Sequence, residues 1–182
     1  MVHEPGPPSP FFVAHLEDLR EAARLGPILD VACGRGRHAL AVGRHGLPAL
    51  GIDRNPELLA QLRERARAER LPVRTVRADL ECGHQLPLAP GAFGAVLVFR
   101  YLYRPLAAAL VEALRPGGLL LYETFTIHQR ELGQPPTNPD FLLRDGELRI
   151  LFEALLPIEH WQGVTSGERP AALARFAARR SR

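Results

Sequence analysis

Four charged side chains stand where they could act together. Asp30 lies within the apolar run ILDVA, Asp53 and Asp79 close the next two short runs, and Arg100 ends FGAVLVF, the most apolar run of the chain. A carboxylate accepts hydrogen bonds and so suits vicinal hydroxyls or an exocyclic amine, whereas a guanidinium suits an anion. Between Asp30 and Asp53 lies Gly34-x-Gly36-x-x-Ala39, a glycine-punctuated turn that leads into a helical pattern. Such a turn lets the backbone approach a ligand and points unpaired N–H groups of a helix start toward it. The spacing fits a dinucleotide fingerprint formally but carries little alone. Together with the strand-end acids it suits an adenosine-containing ligand.

These residues need a frame, and the hydropathy pattern supplies one. Strand-like runs are expected at 27–32, 49–52, 73–77, 93–99 and 119–122, with helical patterns at 10–23, 37–45, 56–70 and 105–114. Alternation of this kind implies right-handed β-α-β units, an α/β class and a doubly wound, mostly parallel sheet whose ligand sits at the carboxyl ends of its strands. Ser9-Pro10 and Asn55-Pro56 are helix starts of the cap-then-proline type. The run at 73–77 alternates apolar and basic residues and belongs near a sheet edge, whereas 93–99 belongs at the centre. The prolines and glycines at 81–91 mark a loop, and 115–118 (RPGG) reads as a turn. The stretch 126–143 is the longest loop, equally readable as a lid or a connector.

Composition narrows the classes. At 182 residues the chain suits a lead-in with an amphipathic helix over 1–26 and a single domain over 27–182. A net charge of +3, with every basic residue an arginine, is too small to argue for nucleic acid. Arg63, Arg65, Arg67 and Arg70 read as a solvated helix face. Cys33 and Cys82 lack metal-ligand spacing, and Cys33 reads as a small filler within the turn. No apolar run reaches the roughly 18 residues needed to span a bilayer, and MVHEPGPPSP lacks a signal-peptide pattern. A cytoplasmic protein with no membrane or DNA partner, monomeric or homodimeric, is the expectation.

The segments DVACGRGRH (30–38), GIDRN (51–55), RADL (77–80) and LRPGGLLLYETF (114–125), in this order and spacing, resemble the class I S-adenosylmethionine-dependent methyltransferases. GRGRH, RYLYRP (100–105) and the loop with Asn138-Pro139 are similar to the small tellurite-resistance-type (TehB-like) branch. The resemblance implies a Rossmann-like seven-stranded sheet with helices on both faces, its last two strands an antiparallel edge hairpin at about 158–163 and 172–178. The second of these is alanine-rich and has helical propensity of its own. The resemblance further implies S-adenosyl-L-methionine as cofactor. Asp30, Gly34 and Gly36 would lie along its methionine end with Ala32 beside them, and Asp30 would anchor the amino group. Asp53 would accept the ribose hydroxyls, Arg54 or Asn55 would flank the adenine, and Asp79 with Leu80 would bind its edge and face.

Methyl transfer is an in-line displacement that needs alignment more than a nucleophilic side chain. Arg100, Tyr101, Tyr103 and Arg104 follow the fourth strand, where this fold presents its acceptor. Arg100 and Tyr101 are the substrate-facing candidates, Arg100 also bordering the cofactor and favouring a small anionic molecule. Arg100 has a second reading as the buried partner of Glu123. His38 reads as structural and Trp161 as hairpin core. An NAD(P)-binding oxidoreductase and a non-catalytic S-adenosylmethionine-binding module are the alternatives.

Overall fold

The computed structural model describes residues 6–82, 86–167 and 169–182. The first five residues of the lead-in and residues 83–85 of the loop expected at 81–91 lie outside the described residues. Seven strands form one sheet: β1 (Ile28–Val31), β2 (Ala49–Asp53), β3 (Val73–Arg77), β4 (Phe93–Phe99), β5 (Leu114–Phe125), β6 (Leu155–Val164) and β7 (Ala172–Arg180). Their order is β3-β2-β1-β4-β5-β7-β6, with β1 to β5 parallel and β7 antiparallel to both of its neighbours. The chain therefore reverses direction across the sheet between β1 and β4, and the carboxyl ends of these two strands open one crevice.

Each strand forms for a local reason. All seven residues of β4 are buried, as a strand flanked on both edges and covered on both faces must be, while β3 is half-exposed at the edge. Five α-helices of the described chain flank the parallel strands: α1 (Pro10–Ala14), α2 (Leu16–Ala23), α3 (Arg37–Arg44), α4 (Pro56–Ala68) and α5 (Ala107–Ala113), with the short α6 (Glu147–Leu151) before β6. Phe11, Phe12, Leu19, Leu40 and Leu62 pack on one face of the sheet against Ala95 and Leu97. Leu106, Leu110, Leu148 and Phe152 pack on the other against Val96, Val98 and Phe176.

Three expectations need correction. The helical pattern over 10–23 is two helices, because His15 leaves helical geometry; its ring sits between Asp18 Oδ2 at 2.9 Å and Glu159 Oε2 of β6 at 3.1 Å. The turn at 115–118 is absorbed into β5 as an irregularity where pairing shifts from Phe93–Leu114 to Ala95–Leu119. The helix expected at 105–114 starts with a 3-10 turn, Arg104–Leu106, and ends at Ala113, leaving Leu114 to β5. The alanine-rich segment is a strand despite its propensity: its backbone pairs on both edges, and small buried side chains such as Ala177 and Ala178 allow the close layering that tertiary packing rewards over intrinsic preference.

The helices that precede β1 sit hard on the sheet at Gly94. A Cβ there would lie 1.9 Å from the carbonyl oxygen of Ala22 and 2.7 Å from that of Gly26. Gly94→Ala should therefore lose about 1–3 kcal/mol or more through overpacking, read as a lower urea midpoint. An unchanged midpoint would mean that α2 is not seated on β4.

Candidate functional site

A cleft of about 290 Å³ opens at the carboxyl ends of β1 to β5. Of the residues singled out above, Ala32, Asp53, Arg54, Asp79, Leu80, Arg100 and Tyr101 line it together. Asp30, Gly34 and Gly36 do not. Asp30 is 2% exposed, beneath the turn, and its Oδ2 accepts the N–H of Ala39 at 2.9 Å, which caps the first turn of α3. It lies inside β1, as its place within the apolar run implies. Gly36 holds φ +78°, and a Cβ there would meet the Leu62 side chain of α4 at 2.3 Å. The lining also includes Glu81, Thr124, Phe125, Pro136 and Phe141. Pro136 and Phe141 show that the long loop forms part of the cleft wall, a role no residue spacing marks.

Asp53 ties the crevice together. Its Oδ2 accepts the N–H of Gly34 and its Oδ1 that of Asn55, both at 2.8 Å, so the carboxylate holds the β1 turn and the start of α4 while each oxygen keeps a lone pair for a ligand. Asn55 itself caps α4. Asp79 Oδ1 accepts from Glu81 N at 3.0 Å and faces the same space. Tyr101 brings a hydroxyl that is buried with no hydrogen-bond partner among the described residues, and burial pushes its pKa up, so it remains a donor. An orphaned buried hydroxyl facing a cleft fits a ligand group that accepts. Two residues at neighbouring strand ends, Ala32 at φ +51° and Arg100 at φ +61°, hold left-handed backbone without being glycine. Each costs about 1–2 kcal/mol, and such strain clusters where surroundings fix it for use.

Arg100 sits over the Phe125 ring at 4.4 Å with its Nε 3.9 Å from Glu123 Oε1. It is therefore only the outer partner of that carboxylate. Glu123 is buried, accepts the Ser9 hydroxyl at 3.0 Å on both oxygens and pairs with Arg175 Nε at 2.9 Å. Arg104 turns away from the cleft, gripping Glu147 of α6 and the backbone oxygens of Asp140 and Leu142, and so fixes the long loop. Tyr103 donates to the backbone of Glu81. Trp161 is a correction: it is half-buried rather than hairpin core, with the Arg175 guanidinium 4.7 Å over its ring.

His38 is structural. Its Nε2 accepts the N–H of Ser9 at 3.2 Å, its ring stacks on Phe99 at 3.8 Å, and burial lowers its pKa to about 3, so it stays neutral. Burial and nearby acids push the Cys33 thiol up, which removes it as a nucleophile.

The cleft lies at the switch point of a doubly wound sheet, the place where such sheets bind their ligands. A methyltransferase domain profile matches residues 28–118, half of the chain. The chain is 34% identical over 71% of its length to a demethylmenaquinone methyltransferase of Thermus thermophilus, of which it covers 56%. The chain spans 38–56% of the length of the first three curated relatives it matches. The structure of TehB from Haemophilus influenzae superposes with a TM-score of 0.72 at 18% identity, covering 92% of this chain and 62% of that one. A SAM-dependent methyltransferase from Methanosarcina mazei superposes with a TM-score of 0.71 at 17% identity, covering 97% and 99%. The chain belongs to the methyltransferase domain family, and its fold is the Rossmann-like one of that family.

Burial raises the Asp30 pKa to about 7, outweighing the Ala39 N–H bond and the Arg37 charge that favour the ion. Protonated Asp30 is thus favoured in the folded state, and its contribution to stability is lost as pH rises from the unfolded value of 3.8 to about 7. The stability of Asp30→Asn relative to wild type should accordingly climb across that window, by at most about 1.4 kcal/mol per pH unit, and then level off. Urea titrations at a series of pH values check this, and a flat difference would refute the raised pKa.

Proposed function

We propose that the chain is an S-adenosylmethionine-dependent methyltransferase acting on a small anionic molecule. The observation that carries the reading is the meeting of Asp53, Asp79 and Arg100 around one cleft, at the ends of β2, after β3 and after β4. Asp53 would accept from the ribose hydroxyls with its spare lone pairs, Asp79 and Leu80 would take the adenine, and Arg54 would flank it. When bound, S-adenosylmethionine would supply an electrophilic sulfonium methyl group for displacement by a lone pair of the acceptor, its sulfur keeping the C–S electron pair.

The chain's own part is alignment. Arg100, fixed by Phe125 and by the Glu123 carboxylate behind it, would present its guanidinium to an anionic acceptor at the border of the cleft. His38 is too buried and too firmly neutral to serve as a base, which favours an acceptor whose nucleophilic atom is already deprotonated or carries a free lone pair. Loss of Arg100 would not strand Glu123, because Ser9 and Arg175 remain on it.

Cofactor class is read by thermal shift. S-adenosylhomocysteine at about 100 times its dissociation constant should stabilise the fold by about 2.7 kcal/mol, while NAD and NADP leave it unchanged. Stabilisation by NAD with none by S-adenosylhomocysteine would overturn the proposal. Tyr101→Phe offers a second reading on the same site. Removing an unsatisfied buried hydroxyl should leave the ligand-free protein as stable or up to about 1 kcal/mol more stable, yet weaken S-adenosylhomocysteine by about tenfold, which is about 1.4 kcal/mol. Lower stability with unchanged affinity would show that the hydroxyl serves the fold.

A further inference from the structure

A second, larger cavity of about 690 Å³ lies on the other side of Arg100 from the cleft. We propose that it is the acceptor chamber, and that it takes an organic carboxylate, or a similar oxyanion, with an apolar body. This rests on the methyltransferase reading above and specifies its acceptor.

Charge is the first reason. Arg37 from the start of α3, Arg100 from the end of β4 and Arg175 from β7 all line the chamber, against one carboxylate, Glu123. Among the described lining residues, three guanidiniums face one carboxylate, a surplus of two positive charges. Glu123 is already occupied by Arg175 and the Ser9 hydroxyl, and reaches Arg100 only at 3.9 Å. Among the described residues Arg37 has no acidic partner within salt-bridge distance. Its position in the first turn of a helix is one where a cation is disfavoured. An anion entering the chamber would relieve the repulsion among the three.

Size and lining are the second. A bare oxyanion occupies roughly two or three water volumes of about 30 Å³ each, a small part of this space, whereas pockets of about 300–1,000 Å³ hold drug-sized molecules. The walls carry an apolar surface for such a body in Trp161, Val164, Leu173 and the prolines beside Ser9. Placement is the third: Arg100 borders both cavities, so a molecule held by it in the chamber has its edge at the cleft.

Trp161 lines the chamber and is the single tryptophan of the sequence, which makes intrinsic fluorescence a local reporter. The protein saturated with S-adenosylhomocysteine is titrated with 4-nitrobenzoate and with its neutral isostere 4-nitrobenzamide. The expected result is saturable quenching by the carboxylate, at least about tenfold weaker for the amide. Arg37→Met, which strands no carboxylate, should weaken 4-nitrobenzoate by a similar factor at an unchanged or higher melting temperature and unchanged S-adenosylhomocysteine affinity. Equal, non-saturating quenching by both compounds would overturn the proposal. So would a loss of S-adenosylhomocysteine affinity in Arg37→Met, because the guanidiniums would then be holding the cofactor's own carboxylate. If S-adenosylhomocysteine fails to bind the wild type at all, the methyltransferase reading falls, and the same titration on the ligand-free protein still decides whether the chamber selects carboxylates.

Discussion

The buried carboxylate of Glu123 is the interaction on which the site depends. It stands on β5 opposite Phe99 of β4 on one side and Arg175 of β7 on the other, at 1% exposure. Burying a charge in such a place is tolerated only when it is paired and fully hydrogen-bonded. Here Ser9 supplies a hydroxyl, Arg175 a guanidinium and Arg100 a more distant charge, so one carboxylate ties the segment before α1, the central strand pair and the antiparallel strand into a single unit. The backbone N–H of Arg100 also donates to the Glu123 carbonyl at 2.8 Å. Arg100 is thereby held in left-handed backbone between two cavities, pinned from behind and open in front.

The opposite face of the same crevice is fixed by neutral or internally satisfied groups. Asp30, protonated below about pH 7, and His38, neutral down to about pH 3, pack the β1 turn and α3. Asp53 spends one lone pair of each oxygen on the turn and keeps the other. Positive charge is thus concentrated around Arg100 and negative charge on the cleft floor. This polarity suits a ligand with a hydroxyl-rich end and an anionic neighbour.

Much of the frame was legible because apolar periodicity alone separates β1 to β5 from the intervening helices. Asp53, Asp79 and Arg100 were legible for the same reason, since a charged residue that closes an apolar run must emerge at a strand end. Asp30 was harder: a polar residue within such a run points into the layer it interrupts, and here it serves α3. The alanine run of β7 reads as helix on propensity and becomes a strand only because β5 and β6 both offer it an edge. Ser9, Arg37 and Arg175 could not be gathered from spacing, because they come from three separate parts of the chain, and Arg175 reaches Glu123 only through the pairing of β7 with β5. Trp161 was misread through the same gap, the exposure of an edge strand being set by what lies beside it.

In the proposed arrangement the crevice divides at Arg100, with the nucleoside in the acid-lined cleft and the acceptor in the arginine-lined chamber. A crystal structure of the protein with S-adenosylhomocysteine would locate each part of the ligand. The ribose hydroxyls should lie on Asp53 and the adenine against Asp79 and Leu80, with the sulfur facing Arg100 and the chamber left free. An adenosine moiety lying among Arg37, Arg175 and Trp161 would contradict this arrangement.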